Sequence, residues 1–410
     1  MDVMRISVVT LAGEEMAPLA AHSDWTVHDI HNEIISRLGS DKNPRLRLLH
    51  KGTMLMPGMT LSALGVEDGA QLTLVRLADL FVVTSQGDSV QVWSIENGDC
   101  VLTLSGHENR VTHVVVSWGG TTILTSSDDG TARIWNLSDV GECLQTLQGH
   151  EGPVRSAVFS MNDALVLTGS SDCTAKIWCS ETGICRQTLR GHEDIVLSAT
   201  FSNDAAMVLT ASRDHTARIW SVAAGECLQI MPGHENMFSA VFSPDGVAVA
   251  TASFGKTARI WLTETGACYK VLRGHEGNVR SAMFSPDGSM LVSAARDETA
   301  KIWNAQTGTC MRTLRGHQDA VASAVFSPSG RKVLTASRDG TARVWDVQTG
   351  KELATLSHSE PVTTAFFFED GALVVTSSAD GTSRIWRTDN ATCMAQFSGQ
   401  AQGVCTTWRA

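Results

Sequence analysis

Lysine is scarce in this 410-residue chain: eight lysines stand against 24 arginines, and tyrosine occurs once. Arginine is favoured over lysine where planar carboxylate or phosphate recognition matters, so the arginine positions need following. Positive charge is also short overall. A formal charge of −11 sets aside a general nucleic-acid binder, which would be basic. No apolar run reaches the roughly eighteen residues of a membrane span, so no membrane association is expected. The first twenty residues hold Asp2, Glu14 and Glu15 and lack the apolar centre of a signal peptide, so a cytoplasmic or nuclear location is expected. No phosphate-binding loop, zinc-type spacing or unique nucleophile is present. No cofactor and no metal are therefore expected, and catalysis is set aside.

What is there is a repeat. The stretch Thr341-Ala342-Arg343-Val344-Trp345, preceded by Ser337 and Asp339, has counterparts ending at Trp93, Trp135, Trp178, Trp220, Trp261, Trp303 and Trp386. The tryptophans are 41 to 43 residues apart. A fixed period of this size means stacked copies of one supersecondary unit, none able to bury its apolar faces alone. Cys100, Cys143, Cys185, Cys227, Cys268, Cys310 and Cys393 follow the same phase. Equivalent positions in different units do not pair, so these read as small buried hydrophobes. Cys173 and Cys179 stand outside the phase, at a separation that is not a zinc spacing.

One unit shows the plan. Gly316-His317 precedes an alternating Val321–Ser327, a turn at Ser329-Gly330, a run from Lys332 to Ser337 and a turn at Asp339-Gly340. Thr341–Trp345 follows, then Gln348-Thr349-Gly350 and a last strand ending at Leu356. Four short strands with turn residues about every ten positions make one antiparallel sheet. Through Gly-His, the turn Asp and the Trp at its distance, residues 80–410 strongly resemble the WD-repeat family. That resemblance implies a mainly β fold, a propeller of radially arranged sheets. The first unit, Leu80–Leu104, has three strands and lacks its innermost one, and the last segment, Gly403–Trp408, is a lone strand that matches the gap. An eight-bladed ring over residues 78–410, its first blade completed by residues 403–409, is the expectation; seven blades would leave one unit outside.

His, Ser, Asp and Trp recur together as His107/Ser127/Asp129/Trp135, His150/Ser170/Asp172/Trp178, His192/Ser212/Asp214/Trp220, His317/Ser337/Asp339/Trp345 and His358/Ser378/Asp380/Trp386. A catalytic triad occurs once per site, whereas these recur at the repeat phase and match the family's structural tetrad. Gly255 replaces Asp after His234, Ala295 replaces Ser after His275, and the closing unit carries Gln400 and Gly87.

Residues 1–77 differ. Met4–Thr10 and Met16–Ala21 read as strands, Thr26 to Leu38 as a helix stopped by Gly39, and Leu46–His50 and Gln71–Leu77 as two more strands. The order suggests an α+β β-grasp. Thr10-Leu11-Ala12-Gly13, Leu46 to Gly52, Thr60-Leu61-Ser62 and Leu72 to Val75 resemble ubiquitin. The resemblance implies a receptor-binding patch at Leu11, Leu49 and Val75, with Arg47 beside it. The conjugating Arg-Gly-Gly tail is absent, since Arg76-Leu77 runs into Ala78-Asp79-Leu80. A built-in ubiquitin-like docking domain is expected, not a modifier.

Loops entering first strands and turns leaving second strands share one ring face by antiparallel geometry. Arg213, Arg296 and Arg338 precede turn aspartates, and Arg110, Arg155 and Arg280 lie near first-strand starts. Together they would focus field on an anionic partner unless paired with neighbours such as Asp194 or Asp319. The unit around Trp261 loses one residue near Met237-Phe238 and carries Phe254 where its neighbours have Arg. Met237 and Phe254 would form an exposed apolar spot among Arg213, Arg280 and Arg296; the alternative is simple drift, with Phe238 filling an ordinary core slot. Because Leu80 opens a second strand, the N-terminal domain is expected on the opposite face. The expected function is a non-enzymatic adaptor, monomeric within larger complexes. It would join ubiquitin receptors such as the proteasome or a deubiquitinase to an acidic or phosphorylated client. The alternatives are an assembly platform in centriolar, ciliary or signalling complexes, or a ubiquitin-ligase substrate receptor. The last lacks its Trp-Asp-X-Arg motif, as Trp345-Asp346 runs into Val347-Gln348.

Overall fold

The computed structural model describes residues 3–10, 15–22, 25, 30, 33–34, 46–50, 53–54, 61, 66–76, 80–95, 98–137, 141–233, 235–368, 371–398 and 406–409. The chain divides into a unit of Met1–Leu80 with Arg409–Ala410 and a unit of Phe81–Trp408. In the first, β1 (Val3–Thr10), β2 (Glu15–His22), β3 (Leu46–His50), β4 (Thr53–Met54) and β5 (Gln71–Arg76) form one sheet in the order β2-β1-β5-β3-β4. β1 runs parallel to β5 and antiparallel to β2. Met4, Ile6 and Val8 alternate inward along β1 onto Leu19, Leu61 and Leu72, as the two-residue strand period requires. Most of the expected helix from Thr26 to Leu38 lies outside the described residues. Ile30 and Ile34, both helical, are completely buried in this core.

The second unit contains eight four-stranded sheets among the described residues. Seven follow simple chain order, for example Val321–Phe326, Lys332–Ser337, Thr341–Asp346 and Glu352–Ser357. Second strands are buried almost end to end because both faces are covered. Outermost strands instead expose their first residues and bury one Leu, Met or Phe near the end. The core lies between sheets rather than within them. Val292, Ala294, Ile302 and Leu314 of one sheet pack on Val321, Phe326, Val333 and Trp345 of the next. Each tryptophan thus closes an inter-sheet seam, which is why it recurs once per period. The eighth sheet is discontinuous in sequence. Thr406–Arg409 lies beside β6 (Leu80–Gln86), followed by β7 (Ser89–Ser94) and β8 (Cys100–Leu104). Trp93 of this sheet meets Phe397 of the last one, ring centroids 5.8 Å apart.

The buried-hydrophobe reading of the phased cysteines is wrong. Cys100, Cys185, Cys227, Cys268, Cys310 and Cys393 are exposed, and Cys143 is half-buried. Each begins an outermost strand opposite the bulge at its tryptophan, where no further strand covers it.

Candidate interaction surface

Beneath the turn-bearing face lies a repeated hydrogen-bond frame. In the unit of Trp345, His317 Nδ1 is 2.8 Å from Asp339 Oδ2, and its Nε2 is 2.7 Å from Thr335 Oγ1. The Trp345 indole N–H donates to the same hydroxyl at 2.9 Å. Asp339 is a carboxylate, so Nδ1 carries the proton; the Thr335 hydroxyl then donates to Nε2 and accepts from Trp345. The bridging hydroxyl is therefore a threonine two residues before the serine expected in the tetrad. Ser337 caps the turn instead: it accepts from the Asp339 amide and donates to the Asp319 carbonyl. The same correction holds at Thr125, Thr168, Thr210 and Thr376. It also explains why Ala295 breaks nothing. Ser293 bridges His275 and Trp303, leaving that unit's chain of bonds intact. Gln400 lies outside the described residues.

Burial, opposed by the aspartate bond, lowers the pKa values of His107, His150 and His317. Burial also lowers His358, with Arg384 adding to the effect. Burial alone would raise Asp339, but bonds from Thr341, the Gln318 amide and His317 hold it at about 2. In these four units the frame is a neutral imidazole on a fixed carboxylate, and it holds the turns in place. Several arginines are consumed nearby. Arg133, Arg218, Arg259 and Arg384 stack on the tryptophans of their own strands, and Arg343 pairs with Glu352.

On this frame the six face arginines separate into two groups. Arg110 and Arg155 both bind Asp128, at 3.1 and 2.9 Å, and Arg155 also donates to Ser171. They share one carboxylate, Asp128, rather than Asp194 or Asp319. Arg213, Arg280, Arg296 and Arg338 make no ion pair among the described residues. Arg280 is half-buried, and its Nε has no hydrogen-bond partner. Burial, then Arg296 and Arg338, lowers its pKa.

The expected Met237 spot is corrected. Met237 is 1% exposed and packs with Leu209, Ile219 and Trp261, in the slot held by Val279 and Val321 in other sheets. Phe238 takes the surface role, and it meets Phe254 with ring centroids 4.4 Å apart. The cause is a register shift between Met237 and Ser239, which leaves Phe238 as the extra residue of a bulge. Arg155 and Arg280 occupy the same bulge position in their own sheets. A bulge re-aims a side chain, and simple alternation, which placed Phe238 inside, could not show it. Arg280 lies over the Phe238 ring at 5.4 Å and Arg296 over Phe254 at 5.7 Å. Two cations thus flank one aromatic pair, each contact contributing about 0.5–2 kcal/mol depending on desolvation.

In the N-terminal unit, Leu11 lies outside the described residues. By backbone register Arg47 faces Val75, and Leu49 faces Thr73.

The family model "WD domain, G-beta repeat" matches residues 98–136, 141–179, 183–221, 225–261, 266–304, 308–346 and 350–387. The computationally designed Ika8 protein superposes with a TM-score of 0.68 at 27% identity, covering 76% of this chain and 97% of its own. Nuclear distribution protein PAC1-2 of Uncinocarpus reesii is 37% identical over 73 residues, 18% of this chain and 16% of its own length. F-box/WD repeat-containing protein sel-10 of Caenorhabditis elegans is 40% identical over 65 residues, 15% of this chain and 11% of its own. Those alignments thus span under a fifth of either natural relative. With seven repeats matched over well more than half its residues, this chain belongs to the WD40-repeat family, whose members are generally non-enzymatic protein-interaction scaffolds.

Proposed function

We propose that the protein is an adaptor whose propeller holds an acidic or phosphorylated segment of a client on its arginine-bearing face. In this reading its N-terminal unit is a ubiquitin-like module that docks on ubiquitin receptors such as the proteasome or a deubiquitinase. The observation that carries it is a set of four arginines, Arg213, Arg280, Arg296 and Arg338, without carboxylate partners among the described residues of a protein of charge −11. The parallel β1–β5 pair and the buried helical Ile30 and Ile34 support the β-grasp reading. The Trp93–Phe397 contact and the strand Thr406–Arg409 beside β6 support a closed ring of eight blades. A melt of the chain lacking its last eight residues tests the ring: unchanged cooperativity refutes it.

The function is tested by affinity capture with the full chain. Arg213→Glu/Arg296→Glu/Arg338→Glu releases the client and keeps ubiquitin receptors, while Leu49→Ala does the reverse. Client capture that survives the triple reversal refutes the arginine face. A second reading, an assembly platform, draws on Val101, Leu144, Leu228, Tyr269, Met311 and Met394, each exposed just after an outer-strand cysteine. Localisation of the tagged protein to a centriolar or ciliary structure, independent of Leu49, would favour it.

A further inference from the structure

We infer that Phe238, Phe254, Arg280, Arg296 and Arg338 form a receptor for a phosphoserine or phosphothreonine beside an apolar side chain in a client protein. This rests on the arginine-face reading above and narrows it to one chemistry and to three neighbouring sheets. The five residues come from only two kinds of position. Phe238 and Arg280 are bulge residues of first strands; Phe254, Arg296 and Arg338 open the turns after second strands. The turns that carry Arg296 and Arg338 are held by the His275–Asp297 and His317–Asp339 bonds, and Phe238 and Phe254 are fixed by their own contact, so the site is held rather than assembled on binding.

Its charge is unbalanced. Arg280 carries a buried Nε with no partner, and the charges that bear on it are Arg296 and Arg338, not a carboxylate. Arg280 and Arg296 sit at one aromatic pair, and with Arg338 they make no ion pair among the described residues, so an arriving anion relieves their mutual repulsion. A phosphomonoester fits better than a carboxylate. It brings a charge of about −1.5 to −2 and three acceptor oxygens, against one unit and two oxygens. The aromatic pair then has its own use. Phe238 and Phe254, both half-buried, lie between the guanidiniums of Arg280 and Arg296 and offer a ring surface to a neighbouring apolar side chain. Arg110 and Arg155 are excluded because both are already engaged by Asp128.

The test uses the full chain and three fluorescent peptide pools, identical except for a fixed phosphoserine, serine or glutamate between degenerate flanks, with inositol hexakisphosphate as a separate probe. The phosphoserine pool binds at least about tenfold more tightly than the other two, as charge-assisted bonds of 1.5–3 kcal/mol require. Arg296→Glu and Arg338→Glu abolish that preference. Arg338→Lys, which keeps charge and fold but loses the fork, weakens it, and Arg110→Glu leaves it unchanged. Phe254→Ala removes selection for apolar flanks while phosphoserine binding persists. Equal binding of the glutamate pool overturns this inference and leaves the acidic-segment reading standing. Failure of both charged pools overturns both. Binding of inositol hexakisphosphate without the phosphoserine pool overturns the assignment to a protein segment. Loss of binding in Arg110→Glu equal to that in Arg338→Glu overturns the three-sheet site.

Discussion

Replacing Thr335 by valine tests the identity of the bridging hydroxyl, with a magnitude set by the structure. The side chains have nearly the same shape, so the packing of this fully buried position is retained. What is lost is the acceptor for the Trp345 indole N–H, at 2.9 Å, and the donor to His317 Nε2, at 2.7 Å. Thr335 is fully buried and His317 and Trp345 nearly so. No water replaces the hydroxyl there, and each orphaned group costs about 1–3 kcal/mol. Thr335→Val is therefore expected to destabilise by about 2–6 kcal/mol, a large share of the stability of most domains. Ser337→Ala removes bonds to the Asp319 carbonyl and the Asp339 amide beside an exposed turn. Those groups regain solvent more readily, so about 1–2 kcal/mol is expected. Denaturant unfolding of the full chain near neutral pH, followed by tryptophan fluorescence and far-ultraviolet circular dichroism, compares the two. If Ser337→Ala costs as much as Thr335→Val or more, the serine is the bridge and the assignment here is refuted.

Three further outcomes follow from the same frame. Ala295→Ser supplies the missing turn cap to the Asp297 amide, and the unfolding free energy is expected to rise by about 1 kcal/mol. Glu298 has φ of 63°, left-handed backbone that Gly340 and Gly381 fill in equivalent turns. Glu298→Gly relieves about 1–2 kcal/mol of strain, partly offset by a more flexible unfolded chain, for a net gain of about 0.5 kcal/mol in the same assay. On acidification, His107, His150, His317 and His358 remain neutral when folded below their ordinary value of 6.5, whereas the unfolded chain takes up protons there. Their contribution is present above pH 6.5 and falls as pH drops toward the lower folded values, so the denaturant midpoint is expected to decline from pH 7 to pH 5. An unchanged midpoint over that range would show the imidazoles to be charged in the folded state. The aspartates lose their contribution only at much lower pH, near 2 for Asp339.

The repeat was legible because one physical need recurs: every sheet seam requires a large buried ring, and Trp93 to Trp386 report that need once per period. Periodicity alone also argued against catalysis, since a triad has no reason to recur with each sheet. The bridging threonine was harder to find. Thr335 and Ser337 both carry hydroxyls on the same strand, and choosing between them requires knowing which one reaches the imidazole. Composition misplaced the cysteines, because a hydrophobic residue that starts an outermost strand has no neighbour to bury it.

Sequence by itself determined the repeating sheet, the seam tryptophans and the turn aspartates, all of which follow from local period and turn chemistry. Tertiary structure alone decided which arginines remain free. Asp128 meets Arg110 across its own hairpin but reaches Arg155 only through the packing of the adjacent sheet. A one-residue bulge likewise exchanges Met237 for Phe238 at the surface, and with it brings an aromatic pair between Arg280 and Arg296. Pairing of charges and the aim of a bulged side chain depend on contacts far apart in sequence, and no local pattern encodes them.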